Sequence, residues 1–274
     1  MSEIISSAQK PLGRVLTVLQ EKGGCGKSSA IFNISYYLSK RHKVLVIDLD
    51  GQAADITYFF LGNKVNDRNN MQTILDCMRK GVNATEVIIQ VTENLHLIPA
   101  NIEVVNIAPT DKVSSFRKII NELKEIYDYI LIDVSPSPTM SHFLCLAVSK
   151  YIVPIVNPDI ASPKALTALC DSVSEARMVA NPSAEYLGII MNKYDGRTNI
   201  AKEITAQVEH IADQLGTCMF RTNISESVVL REHIANHQSV FEYAPKSKSA
   251  KEYETLIKEI LDRIDALDEE EESK

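Results

Sequence analysis

No run of uncharged apolar residues in this chain approaches the roughly 20 needed to cross a bilayer, so no membrane-spanning helix is expected. The first residues, "MSEIISSAQKPLGR", lack the apolar centre of a secretion signal, and the expected compartment is the cytoplasm. There is no C-x-x-C pair. The five cysteines, Cys25, Cys77, Cys145, Cys170 and Cys218, are odd in number and far apart, which argues against a disulfide framework and against a zinc site. Internal repeats and flexible linkers are also missing, and basic charge is not in excess: the formal net charge is -7. From Asp262 onward, "DRIDALDEEEESK" holds seven acids and two bases, a net of -5, leaving about -2 for the rest. Residues 268–274 therefore read as an acidic disordered tail, and the nearly neutral body can still carry a local basic patch for nucleic acid.

With 274 residues, 45% hydrophobic and 24% charged, the chain suits one α/β domain over 13–267, preceded by an extension at 1–12. Val- and Ile-rich runs recur at 14–19, 43–50, 95–99, 129–134, 151–156 and 186–192, with a weaker one at 217–221. Their continuous rather than alternating apolar character suits strands buried on both faces. Helical periodicity fills 27–40, 112–127, 163–180, 199–214 and about 248–267. Such alternation predicts a mostly parallel, twisted sheet of about seven strands with helices on both faces. Ligands of such sheets lie beyond the carboxyl ends of the strands.

At one of those ends stands "QEKGGCGKSS", residues 20–29. Its glycines, Gly23, Gly24 and Gly26, allow successive N–H groups to turn inward around phosphate oxygens, and the helix that follows adds its positive end. Lys27 then reaches the β- and γ-phosphates and Ser28 ligates Mg²⁺, with Cys25 and Ser29 completing the nucleotide-binding loop. The strict pattern G-x-x-x-x-G-K-S/T wants glycine at 21, where this chain has Glu21, and a second lysine, Lys22, is unexplained by it. A thiolate exposed at this helix start would be reactive; a small residue tolerated in the loop is the other reading of Cys25.

The loop resembles that of the deviant Walker A ATPases, the P-loop NTPases that include ParA/Soj partition proteins and MinD and read K-G-G-x-G-K-S/T. The resemblance implies that Lys22 reaches across a dimer interface to the partner's nucleotide, much as an arginine finger does. "VLVIDLDGQ" is similar to the family's second signature, with Gly51 where proline is usual. By resemblance Asp50 positions the attacking water and Asp48 belongs to the magnesium environment, unless Asp48 instead caps the following turn. "YDYILIDV" is similar to the Walker B strand, whose Asp133 holds Mg²⁺ through water. "LHLIPANIEV" also looks like the family's third-strand segment.

"NKYD" at 192–195 matches the guanine-binding box of GTPases, yet the longer "YDGRTN" matches partition ATPases, which use adenine. ATP with Mg²⁺ is therefore the expected pair, with Asn192 as a base contact. The family's "PRN" segment is absent, the chain reading "ISESVVLREH" at 224–233.

The resemblance runs from Gly13 to about Leu261. It implies a weak ATPase that dimerises with ATP, binds double-stranded DNA without sequence preference and answers to a centromere-binding, ParB-like partner, being nucleoid-associated when ATP-bound. Arg197 stands in the family's "RTN" context, and Arg221, Arg231, Lys246 and Lys248 are the other candidate DNA contacts or else solvated charges. An acidic end does not suit MinD-type membrane docking, and no cysteine pair suits an iron–sulfur cluster. About 13 residues before the first strand are too few for a helix-turn-helix, so operator binding is not expected. The other output of the same switch is positioning of a protein cargo that does not act through DNA.

Overall fold

The computed structural model describes residues 12–52, 55–62, 70–108, 113–137 and 139–273; the expected extension at 1–12 lies outside them but for Leu12. The described strands are β1 (Arg14–Leu19), β2 (Val44–Asp48), β3 (Ile89–Gln90), β4 (Leu95–Ile98), β5 (Tyr129–Asp133), β6 (Tyr151–Val156), β7 (Glu185–Tyr186) and β8 (Ile190–Met191). They lie in the order β3-β4-β2-β5-β1-β6-β7, with β8 also on β6, and only β3 runs antiparallel to its neighbour. The sheet is thus mostly parallel, as the apolar runs predict.

The helices are α1 (Lys27–Leu38), α2 (Asp55–Leu61), α3 (Ile74–Lys80), α4 (Val113–Lys124), α5 (Met140–Leu146), α6 (Ser162–Val179), α7 (Asn199–Gln214), α8 (Val229–Ala235), α9 (Val240–Tyr243) and α10 (Lys248–Glu272). Alternate strand residues feed two cores. Leu45, Ile47, Ile130 and Ile132 pack on the side of α4, α5, α6 and α7, while Val44, Val46, Tyr129 and Leu131 pack on the side of α1, α2 and α10. Helix starts follow local chemistry: Thr198 and Ser247 accept from the N–H groups of Ala201 and Ala250 to cap α7 and α10. Among the described residues no helix is long and apolar enough to cross a membrane.

Three expectations change. The run 186–192 is split into β7 and β8 around Gly188, whose φ of 152° and whose missing Cβ, which would fall 2.0 Å from Arg263 Nη1, admit no larger residue. The weaker run at 217–221 makes only a parallel bridge, Met219 to Ile189. The acidic stretch 268–274 is not a disordered tail, because α10 continues to Glu272; Lys274 lies outside the described residues. Asp268 accepts from Arg14 Nε at 2.8 Å, from Lys150 Nζ at 2.7 Å and from the Tyr151 hydroxyl, and Lys150 also pairs with Glu271 at 2.8 Å. Bases at the starts of β1 and β6 thus offset the charge repulsion that would fray the helix.

Candidate nucleotide site

Beyond β1 the chain is pinned before it turns. Gln20 donates through Nε2 to the Ile155 carbonyl at 3.2 Å and accepts the Glu21 N–H at 2.8 Å. Glu21, where the strict motif needs glycine, accepts from Ser172 of α6 at 2.7 Å. Gly26 then takes φ 94° as the residue before α1, and a Cβ there would lie 2.4 Å from Asn192 Nδ2. Asn192 donates through Nδ2 to the Cys25 carbonyl at 2.7 Å, and Lys193 donates to the Gly24 carbonyl at 2.9 Å. Asn192, expected at the base, therefore braces the phosphate loop as well as lining the cavity. Cys25 is fully buried and burial pushes its thiol up, the opposite of a reactive thiolate.

The loop opens on a cavity of about 620 Å³ whose walls include Gly23, Gly24, Gly26, Lys27, Ser28 and Ser29. Lys27 is buried, and Asp50 reaches the same space while accepting the Gln52 N–H at 3.0 Å. Its far wall is Ser225–Ser227 and α8 with Leu230, Arg231 and Ile234, backed by Tyr253 of α10 and Phe59 of α2.

Behind the loop two carboxylates stand in register, Asp48 at the end of β2 beside Asp133 at the end of β5. Both are fully buried. Asp48 accepts the Asp50 N–H at 2.8 Å and, on its other oxygen, the Thr57 N–H at 3.1 Å and hydroxyl at 2.6 Å. This is the turn-capping alternative, carried further by a threonine. Burial outweighs these bonds and pushes Asp48 up to about 7. Asp133 differs in that neither oxygen has a hydrogen-bond partner among the described residues. Burial, and then Asp48, push it well above the ordinary carboxylate range, opposed by Ser28 and Lys27. Two orphaned carboxylate oxygens beside a serine hydroxyl suit a hard, oxygen-seeking cation such as Mg²⁺. Asp133 and Ser28 meet that requirement; the oxygens of Asp48 are already engaged.

Lys22 does not line the cavity. Its ammonium meets Asp159 Oδ2 at 2.6 Å in the segment between β6 and α6, where both side chains remain about one-third exposed. Burial would raise Asp159, but the Lys22 hydrogen bond and charge prevail and hold it below its usual range. Thr57 and Asp159 are the residues that sequence reasoning missed. Each meets its partner only through tertiary structure, and neither carries a local signature.

The candidate DNA contacts differ in how they are held. Arg197 is exposed and grips Asp195 with two bonds, 2.8 and 2.7 Å. Arg221 and Lys246 are exposed, while Lys248 reaches Ser225 Oγ at 2.9 Å and Glu252 at 3.3 Å. Arg231 lines the nucleotide cavity, as does Ser225, the residue that Lys248 reaches.

A parallel α/β sheet with a glycine-rich lysine loop between β1 and α1, and an acid at the end of β5, defines a P-loop nucleotide-binding protein. The AAA domain family model matches residues 13–186. The chromosome-partitioning ATPase Soj of Thermus thermophilus is 28% identical over 258 residues, spanning 92% of this chain and 96% of that protein. The sporulation initiation inhibitor protein Soj of Bacillus subtilis is 25% identical, spanning 91% and 98%. Among solved structures, a plasmid partition protein of Borrelia burgdorferi bound to AMPPNP superposes with a TM-score of 0.75 at 25% identity, covering 92% of this chain and 99% of that one. Apo McdA of Cyanthece shares the fold, with a TM-score of 0.80 at 20% identity over 92% and 99%. The chain belongs to the AAA domain family and within it is a ParA/Soj-type ATPase.

Proposed function

We propose that this chain is an ATP-dependent partition ATPase that pairs as an ATP-bound dimer, binds duplex DNA without sequence preference and hydrolyses ATP slowly until a centromere-binding, ParB-like partner stimulates it. The observation that carries this reading is the division of labour between the two loop lysines: Lys27 is buried on the cavity, and Lys22 is outside it, held by one ion pair about one-third exposed. An internal lysine completes a nucleotide site within the subunit. An external one is free to serve a neighbour once Asp159 is exchanged for phosphate, since an exposed pair is worth only about 0.2–1 kcal/mol.

In this reading the loop N–H groups and Lys27 hold the triphosphate, and Asp50 orients the attacking water. Ser28 and Asp133 would hold magnesium, whose charge favours the ionised form of an acid that burial disfavours. Thr57 keeps Asp48 fixed, so that the turn bearing Asp50 does not move. Lys22 from the second subunit adds positive charge where the γ-phosphate leaves. Dimerisation and hydrolysis are then both tied to occupancy by ATP, and the ATP-bound dimer associates with the nucleoid in the cytoplasm.

A second reading is a positioning switch for a protein cargo that does not act through DNA. It is favoured by the local pairing of Arg197 with Asp195 and of Lys248 with Glu252, which reduces the basic charge available to a phosphate backbone. Retention on random duplex DNA separates the two. The partition reading expects retention with ATP but not ADP, falling steeply with added salt. No ATP-dependent retention at low salt would leave the cargo reading.

A further inference from the structure

We propose that Arg231 contacts the phosphates of ATP bound in its own subunit, carried there by α8, and is not a DNA contact. This rests on the nucleotide reading of the cavity and adds a residue to it. Arg231 projects from α8 between Leu230 and Ile234 and lines the same cavity as Lys27, Ser28 and Ser29. Several other basic groups near the loop or on the candidate DNA face are already engaged: Lys22 with Asp159, Lys193 with the Gly24 carbonyl, Arg197 with Asp195, and Lys248 with Ser225 and Glu252. The Arg231 guanidinium has neither ion pair nor hydrogen bond among the described residues. A planar fork of N–H donors without a carboxylate, on a cavity that a phosphate loop also lines, suits phosphate oxygens beside Lys27.

The second observation is how α8 is fixed in place. His233, one turn along from Leu230, is fully buried. Its Nδ1 donates to the Gln238 carbonyl at 2.8 Å, which leaves Nε2 to accept from Asn33 Nδ2 at 3.4 Å. Asn33 belongs to α1, is fully buried, donates also to the Ser29 carbonyl at 2.9 Å and accepts the Val240 N–H of α9 at 2.8 Å. The imidazole stacks on Phe32 with a centroid separation of 6.1 Å. Burial lowers the basicity of His233, consistent with a neutral ring that accepts from Asn33. The helix that begins in the phosphate loop thus holds, through one buried amide, the helix that carries Arg231. His233 and Asn33 are positioning residues in this arrangement, and Arg231 is the binding residue.

The test uses the full chain, with calorimetric titration of ATP in Mg²⁺ buffer and no DNA. Lys22→Ala serves as a common background so that self-association does not contribute. Arg231→Ala is expected to weaken ATP by roughly tenfold or more, the range of a hydrogen-bonded charge pair, and Arg231→Lys by distinctly less. His233→Phe keeps the stacked ring and removes both nitrogens; it should weaken ATP by itself, yet add little to Arg231→Ala. Such non-additivity marks a residue acting through Arg231, whereas a general loss of packing would add in full. Unchanged thermal unfolding of the nucleotide-free Arg231→Ala protein verifies its fold. ATP affinity of Arg231→Ala within twofold of the background would overturn the proposal, and loss of DNA retention at saturating ATP by Arg231→Ala made in the protein with Lys22 intact would return Arg231 to the DNA face. Failure of the background protein itself to bind ATP, with Lys27→Ala no different, would instead overturn the nucleotide reading on which it rests.

Discussion

Replacing Asp133 with asparagine should make the metal- and nucleotide-free protein more stable at pH 8 and remove its stabilisation by Mg-ATP. Asp133 is fully buried with both oxygens unbonded, one strand from the equally buried Asp48. Both acids are pushed up, Asp48 from 3.8 to about 7. An acid with a raised folded pKa binds its proton more tightly when folded. Its contribution therefore favours folding below the unfolded value and is lost as pH rises through the folded one. For Asp48 that window runs from 3.8 to about 7, and at roughly 1.4 kcal/mol per pH unit the loss approaches ~4 kcal/mol. Removing one charge of the two relieves a part of it, about 1–3 kcal/mol, or about 2–6 °C for a chain of this size. At pH 5.5, below the value of about 7 for Asp48, less charge is buried and the gain should shrink. Differential scanning calorimetry in EDTA at the two pH values, then with Mg-ATP, reads both effects. A variant less stable than wild type at pH 8 in EDTA, or one fully stabilised by Mg-ATP, would refute the reasoning.

Asp268→Ala removes the common partner of Arg14, Lys150 and Tyr151. It should cost about 1–3 kcal/mol of stability in chemical denaturation, whereas a truly disordered tail would lose nothing. Four cysteines are buried and Cys218 is exposed, so a thiol reagent should find one fast group in the native protein, and Cys218→Ser should abolish that phase while Cys25→Ser does not. Gly26→Ala places a methyl group 2.4 Å from Asn192 Nδ2 at φ 94°, a strain of roughly 1–3 kcal/mol in the phosphate loop. ATP binding by calorimetry should be lost with the far-ultraviolet circular dichroism unchanged.

What the sequence made legible was whatever repeats a pattern over adjacent residues. β1 and β6 fall on their apolar runs end for end, and α7 on its periodic stretch, because buried parallel strands and amphipathic helices are local statements. The seven-residue helices α2, α3, α5 and α8 were not legible, being too short for periodicity to separate them from loop. The phosphate loop could be read because glycines, lysines and serine are consecutive. The bond between Thr57 and Asp48 could not, because a turn and the start of α2 intervene. Asn192 illustrates the intermediate case: "NKYD" makes it a candidate for the site and it does line the cavity, but its grip on the Cys25 carbonyl is visible only once β8 and the loop are side by side. The charge of the last residues was read correctly and their order was not, since the compensating bases Arg14 and Lys150 are distant in the chain.

The central claim is that Lys22 serves the neighbouring subunit's nucleotide and not its own. Sedimentation velocity of wild type and Lys22→Ala, each with saturating non-hydrolysable ATP analogue and with calorimetric affinity measured in parallel, tests it most directly. The expected result is a wild-type dimer and a Lys22→Ala monomer of similar nucleotide affinity; a Lys22→Ala dimer as tight as wild type would contradict it.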